Sequence, residues 1–202
     1  MWNIRKSIAT ALKKLSIGPF GPTTPLELLR DLASALIEFL TYKKTLLTGP
    51  QSSGKTTFLQ YISKDIIPDA PSGVPRSYQV NNAEFDEVTD LSGAEAWLDK
   101  KFDEYIHSHD YILFFFDVSE FLKDSKYRKD CYARIDYIHQ MVNQSQKVLM
   151  VGTHIDQTSG NYSADTENLF AGKPYQSLLS RIVYIDTRKK DCVKTILDEL
   201  KK

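Results

Sequence analysis

The sequence predicts an α/β fold: a mostly parallel central sheet with helices on both faces, preceded by an N-terminal helical extension. Three observations lead there. From Lys44 onward, short apolar runs alternate with segments of helical period, the pattern of a parallel sheet covered on both sides. A glycine-containing run, Gly49 to Thr56, falls between the first such strand and the first such helix. Residues 1–42 carry only helical periodicity and a Gly/Pro break, which divides the chain into an N-terminal segment, 1–42, and an α/β domain, 43–202.

Taken in order, residues 3–16 place Ile4, Ile8, Ala11, Leu12 and Leu15 on one helical stripe, with Lys6, Lys13 and Lys14 away from it. Gly18-Pro19-Phe20-Gly21-Pro22 cannot continue that helix. A second helix is capped by Thr24, with Pro25 in its first turn and Glu27 closing a capping box; Leu28, Leu29, Leu32, Ala35, Leu36 and Leu40 form its apolar side. The first strand is Thr45-Leu46-Leu47, and its helix runs through Phe58, Leu59, Tyr61 and Ile62. A long loop with Pro68, Pro71, Gly73 and Pro75 comes next. Residues 77–89 read as two short strands turning near Asn81-Asn82, the second ending at Asp90. Further strands are expected at Tyr111 to Phe116, Val148 to Val151 and Ile182 to Ile185, with helices around 94–108, 127–143 and 191–201.

Composition narrows the function classes. Twenty-six Lys+Arg balance twenty-six Asp+Glu, so no net field draws this chain of 202 residues to nucleic acid. Two cysteines, Cys131 and Cys192, make neither a disulfide framework nor a four-ligand zinc site. The N-terminus lacks the continuous apolar run of a secretory signal. The most apolar stretch, Leu26 to Leu40, is broken by Glu27, Arg30, Asp31 and Glu38 and falls short of the roughly 20 apolar residues a bilayer requires. Trp2 and the final Lys201-Lys202 fit no lipid-anchor motif. The expected compartment is cytoplasmic. The basic amphipathic segment, residues 1–17, leaves two readings open: docking on a membrane surface or partner, which would make the protein peripheral, and packing on the α/β domain.

The chemistry is concentrated in Gly49-Pro50-Gln51-Ser52-Ser53-Gly54-Lys55-Thr56, which fits G-x-x-x-x-G-K-[ST] in its strand-to-helix setting. Gly49 and Gly54 let the backbone curl so that the N–H groups from Gln51 through Ser52 and Ser53 to Thr56 and Thr57 face phosphate oxygens at a helix N-terminus. Lys55 reaches the β- and γ-phosphates, and the Thr56 hydroxyl ligates Mg²⁺. Asp90-Leu91-Ser92-Gly93, at the end of a later strand, has the form D-x-x-G, in which the aspartate holds the Mg²⁺ shell and the glycine N–H contacts a γ-phosphate. Gly152-Thr153-His154-Ile155-Asp156 comes directly after the strand Val148 to Val151, at the carboxyl edge where open α/β sheets bind ligands. Asp156 there could accept from guanine N1–H and the exocyclic amine, a donor pair adenine lacks, or it could merely cap the loop.

The ordered set Gly49 to Thr56, Asp90 to Gly93 and Thr153 to Asp156 resembles the Ras superfamily of P-loop NTPase G domains over roughly residues 43–202. Thr153-His154-Ile155-Asp156 is most similar to Roc (Ras of complex proteins) domains, and the N-terminal helix gives an Arf-like outline. The resemblance implies that Lys55 and Thr56 serve phosphates and Mg²⁺, Asp90 and Gly93 sense the γ-phosphate, Asp156 reads guanine with Thr153 and His154 beside it in the nucleotide site, and Asp186-Thr187-Arg188 back the base. The switch hydroxyl that closes on Mg²⁺ would be Ser72 or Ser77, or be absent, because the loop 67–77 has no threonine. Ala94 stands where Ras has a water-orienting glutamine, so no catalytic side chain is assigned and hydrolysis is expected to be slow.

Together these motifs predict a guanine-nucleotide switch, a small GTPase that uses GTP/GDP and Mg²⁺ and signals to an effector or regulator protein through residues 63–77 and 91–105. An ATP-binding P-loop signalling protein and an interaction module with little hydrolysis remain open. Other residues are read blandly. His107 and His109 are taken as a solvated turn, Phe114-Phe115-Phe116 as a buried strand, Lys123 to Asp130 as a solvated charged face, and both cysteines as unactivated thiols.

Overall fold

In the seven residues Tyr111–Asp117, every side chain after the first is buried, so the strand they form (β4) must be covered on both faces. Period-two alternation sends Ile112, Phe114 and Phe116 to one face and Leu113 and Phe115 to the other, and the two sets lie in separate hydrophobic clusters. The computed structural model describes residues 43–62, 76–82, 85–91, 102–175, 178, 182–189 and 191–200. All of them belong to the unit Lys43–Lys202. The expected N-terminal helices and hinge, the loop bearing Ser72, and Gly93 and Ala94 lie outside the described residues.

Strand β1 (Lys44–Thr48) leads into α1 (Lys55–Ile62), and β2 (Arg76–Asn82), β3 (Phe85–Asp90) and α2 (Phe102–Ser108) come next. After β4 come α3 (Val118–Lys123), α4 (Ser125–Met141), β5 (Lys147–Thr153), a 3₁₀ turn at Ile155–Gln157, α5 (Tyr162–Phe170), β6 (Ile182–Tyr184) and α6 (Asp191–Leu200). The strands form one sheet in the order β2-β3-β1-β4-β5-β6. Every neighbouring pair is parallel except β2 with β3. The mostly parallel sheet with helices on both faces is therefore present, and the antiparallel strand sits at an edge.

One face is covered by α2, α3, α4 and α5, which contribute Phe102, Ile106, Phe121, Cys131, Ile135, Ile138 and Phe170. Phe121 is central there: it stacks on Phe170 with centroids 4.7 Å apart and meets Phe116 edge-on at 5.3 Å. The opposite face is covered by α1 and α6 through Phe58, Leu59, Ile62, Cys192, Ile196 and Leu200. Each large apolar side chain removed from water in this way contributes about 1.5–3 kcal/mol. Small polar links add to this packing. Lys147 Nζ donates to the Leu200 carbonyl at 2.7 Å, placing a cation on the last turn of α6, and Asp124 caps α4 by accepting from the Lys126 N–H.

The two short strands expected over 77–89, turning near Asn81-Asn82, are β2 and β3, which pair antiparallel with Asn82 opposite Phe85 and with a register shift between Gln79 and Asn82. Other expectations need correction. Helices α3 and α5 and the 3₁₀ turn add to the elements expected from the sequence. His109 is no solvated turn residue: it is buried, with Nε2 2.9 Å from Thr89 Oγ1 and Nδ1 2.6 Å from the Tyr105 carbonyl oxygen. Phe114, Phe115 and Phe116 are fully buried, and both cysteines are free and buried. Among the described residues, no helix is long and apolar enough to cross a membrane, and no group of His, Cys, Asp and Glu forms a metal cluster.

Candidate functional site

Parallel register brings the carboxyl ends of β1, β3, β4, β5 and β6 to one edge of the sheet. Strand β1 has β3 on one side and β4 on the other, so the loop after β1 lies at the switch point where open α/β sheets take ligands. That loop turns sharply. Gly49 has φ 133° and Gly54 φ 87°, both in the region that favours glycine, and Ser52 adopts a left-handed φ of 60°. Gly49 also passes close to the tip of β4: a Cβ there would stand 2.0 Å from the Phe115 carbonyl oxygen. Beyond it, Gly54 is flanked by two methyl groups, since a Cβ at that position would lie 3.2 Å from Thr187 Cγ2 and 3.3 Å from Thr153 Cγ2.

Lys55 begins α1 and folds its side chain back under the loop. Its Nζ donates to the Gly49 carbonyl at 2.9 Å, the Pro50 carbonyl at 2.7 Å and Ser53 Oγ at 3.1 Å, so all three ammonium protons have partners. Burial lowers its pKa to about 8, while the negative charge of Asp90 acts in the opposite sense. Asp90 terminates β3. Burial raises its pKa, Lys55 partly offsets that rise, and its Oδ1 is buried with no hydrogen-bond partner among the described residues. The orphaned oxygen of Asp90 and the hydroxyl of the exposed Thr56 are each of the hard oxygen type that Mg²⁺ takes.

At the end of β5, the Thr153 hydroxyl lies 3.0 Å from the Ser53 carbonyl oxygen and 3.1 Å from that of Phe116, tying the loop to the tips of two strands. It is also 2.9 Å from His154 Nδ1. His154 takes a left-handed φ of 54°, and its Nδ1 stands 3.3 Å from Asp117 Oδ2. Asp117 is the N-cap of α3, accepting from the Glu120 N–H at 3.0 Å. The 3₁₀ turn beyond His154 is closed by Thr158 Oγ1 donating to the Ile155 carbonyl at 2.6 Å, and it carries Asp156. Asp156 Oδ2 lies 3.2 Å from Arg188 NH1. The same guanidinium donates through Nε and NH2 to the two oxygens of Asp186, each at 2.9 Å. Those bonds hold Asp186 at about 2, well below the usual carboxylate value.

A cavity of ≈ 160 Å³ is lined by Ser52, Ser53, Gly54, Lys55, Thr56, Thr57 and His154. It joins the two sequence motifs in one concavity. Gly49 precedes that lining, Gln51 is exposed at the loop tip, and Thr187 and Thr153 are buried behind Gly54. Asp90 and Asp156 lie outside this lining. Ser77, one of two candidates for the switch hydroxyl, stands in β2, where its Oγ is 3.0 Å from Thr89 Oγ1. Sequence reasoning misses Asp117 and finds no side-chain partner for Asp186 or Arg188. An aspartate ending an apolar strand, with Glu120 three residues later, carries the cap signal for Asp117; for Arg188, the local sequence holds no sign of a partner 30 or more residues away.

No protein-family model matches this chain, and no curated protein does. Among solved structures it is similar to a bacterial selenocysteine-specific elongation factor, EF-Sec, with a TM-score of 0.58 and 16% identity. The match covers 79% of this chain but 28% of that protein. At this identity, the likeness shows a shared α/β fold, that of a P-loop NTPase domain, and carries nothing specific to the Roc or Ras branches. Because Gly49 has no room for a methyl group and a φ that L-residues rarely adopt, Gly49→Ala is expected to destabilise the domain by on the order of 3 kcal/mol. Chemical denaturation of the variant against wild type reads this; an unchanged midpoint would mean that the loop does not press on β4.

Proposed function

We propose that this chain is a guanine-nucleotide-binding switch with slow intrinsic GTP hydrolysis. The observation that carries the reading is the convergence of the glycine loop, Asp90 and Thr153 to Asp156 on one edge of a P-loop NTPase sheet. The nucleotide's phosphates would occupy the concavity lined by Ser52 to Thr57. There the backbone N–H groups of a left-handed turn and the first turn of α1 present positive dipoles. Lys55 would exchange its bonds to the Gly49 and Pro50 carbonyls for contacts with β- and γ-phosphate oxygens, which are stronger because both partners are charged. Thr56 and Asp90 would hold Mg²⁺, which supplies charge neutralisation at the terminal phosphates when bound. His154 borders the phosphate concavity, and Asp156 on the next turn would accept from the guanine edge. Signalling would run from the γ-phosphate through residues 63–77 and 91–105 to an effector or regulator protein.

One observation favours the ATP-binding alternative. Asp156 already has a cation beside it, Arg188, as a loop carboxylate with no role in base recognition would. Competition against a fluorescent GDP analogue separates the two readings. GTP should displace the probe from the wild-type protein and ATP should not, and Asp156→Asn should erase that difference by turning one acceptor into a donor that faces guanine N–H groups. Equal displacement by ATP and GTP from the wild type would overturn the guanine reading.

The buried lysine gives the site a pH dependence whose sign comes from its pKa. The ammonium that phosphates need is present below about pH 8 and is lost as the pH rises through that value. Nucleotide affinity is therefore expected to fall by up to about tenfold per pH unit above this point. Titrations at about pH 7 and about pH 9 check this, and affinity that rises with pH would contradict it.

Ala94, directly after Asp90 to Gly93, offers a methyl group where a water-orienting side chain would act, and catalysis in this class rests on positioning and charge stabilisation. Single-turnover hydrolysis by the isolated chain is expected at about 10⁻³ s⁻¹ or slower. A rate of roughly 1 s⁻¹ would reveal a catalytic group elsewhere.

A further inference from the structure

We propose that Asp186 and Arg188 form a strut that fixes the Asp156 carboxylate in its base-reading orientation, making Arg188 a positioning and specificity-determining residue. This role deepens the proposed function and rests on its guanine reading.

Asp156 stands on a three-residue 3₁₀ turn behind a left-handed His154, outside any longer helix or strand. Its carboxylate has Arg188 NH1 at 3.2 Å from Oδ2. A lone arginine, 65% exposed, would be a poor holder, because an exposed ion pair is loose and contributes little. Here the guanidinium is itself held. Nε and NH2 grip both oxygens of Asp186 at 2.9 Å in the planar fork that arginine forms with a carboxylate, and the Arg188 backbone N–H donates to Asp186 Oδ1 at 3.1 Å. Asp186, whose side chain is 11% exposed, sits just past the buried Ile185 after β6, so the strut is rooted in the sheet. The nitrogen not used in the fork is the one that reaches Asp156.

Charge and lone pairs agree with this role. Asp186 offsets the guanidinium, and the Lys189 ammonium, 3.8 Å from Asp186 Oδ2, is 68% exposed and screened by water, so Asp156 keeps the charge that would attract N–H donors. An ionised carboxylate has about four acceptor directions, and Arg188 uses one on Oδ2, leaving enough for the two donors of a guanine edge. Thr187, between the two strut residues, is buried with its methyl group against Gly54, so the strut and the phosphate loop share one rigid support.

A fixed carboxylate matters most to a base that uses both of its oxygens. Guanine offers two donors to Asp156 and hypoxanthine one, so loss of the strut should affect GDP more than inosine diphosphate. Calorimetric titration of the full chain with GDP, inosine diphosphate and ADP, all with Mg²⁺, tests this on wild type, Arg188→Ala, Arg188→Lys and Asp186→Ala. Arg188→Ala should lower GDP affinity by roughly three- to fivefold and narrow the gap between GDP and inosine diphosphate. Asp186→Ala should do the same, since the arginine loses its anchor, and Arg188→Lys should fail to restore the gap because it lacks the fork. A purely structural effect would weaken all three nucleotides alike and leave the ratio unchanged, which would overturn the strut. Tighter GDP binding by Arg188→Ala would overturn it too, by showing that Arg188 competes with the base. A wild-type protein that does not prefer GDP to ADP removes the guanine reading itself, and the strut with it, a result distinct from a preference that Arg188→Ala leaves untouched.

Discussion

The site depends on the closeness with which the loop after β1 is pressed onto the tips of β4 and β5. Gly49 lies so near the Phe115 backbone that no side chain fits between them, and the Thr153 hydroxyl bridges the Ser53 and Phe116 carbonyls. One hydroxyl proton cannot serve both acceptors fully. It is shared, and the threonine oxygen stays available to a proton on His154 Nδ1. The loop's curl, the burial of Lys55 beneath it and the placement of His154 at its rim all stem from that contact. It in turn requires β1, β4 and β5 to be parallel neighbours in one register, which the two apolar clusters enforce by covering both faces of β4.

Burial at this point has an electrostatic consequence. Lys55 is an ammonium held by neutral oxygens of its own loop within the field of Asp90, and its depressed pKa expresses the unfavourable charge state of an enclosed cation. Asp90, for its part, keeps an oxygen out of water that has no partner among the described residues, and such a group is costly to bury. A polyphosphate with its cation would relieve both conditions at once. In this sense the edge of the sheet holds unfavourable terms that a ligand of the right charge would remove.

The parts legible in the sequence are those whose signal is local. Tyr111 to Phe116 and Val148 to Val151 are apolar runs too short and too branched or aromatic for helices, and both are buried strands. Gly49 to Thr56 needs only its flanks to place the loop and α1. Helix α5 is hidden because Tyr162–Phe170 has few apolar residues: Tyr162, Leu169 and Phe170 meet the Phe121 cluster, and the position between them on the buried side is the polar Thr166. Asn81-Asn82 carries a turn signal, and the antiparallel strands β2 and β3 meet beside it, with Asn82 opposite Phe85. His109 and Arg188 are opaque for a different reason: their partners, Thr89 and Asp156, are distant in sequence, and no local period announces a contact of that kind.

One nucleotide should engage both halves of this edge, its phosphates at the glycine loop and its base at the turn after β5. Amide hydrogen exchange of the full chain, measured with Mg²⁺ and either GDP or ADP, tests that directly. GDP should slow exchange in residues 49–57 and, together with them, in residues 153–157, whereas ADP should leave the second segment as it is in the free protein. Protection confined to residues 49–57 with both nucleotides would contradict the proposed function, because it would describe a phosphate site with no reader of the base.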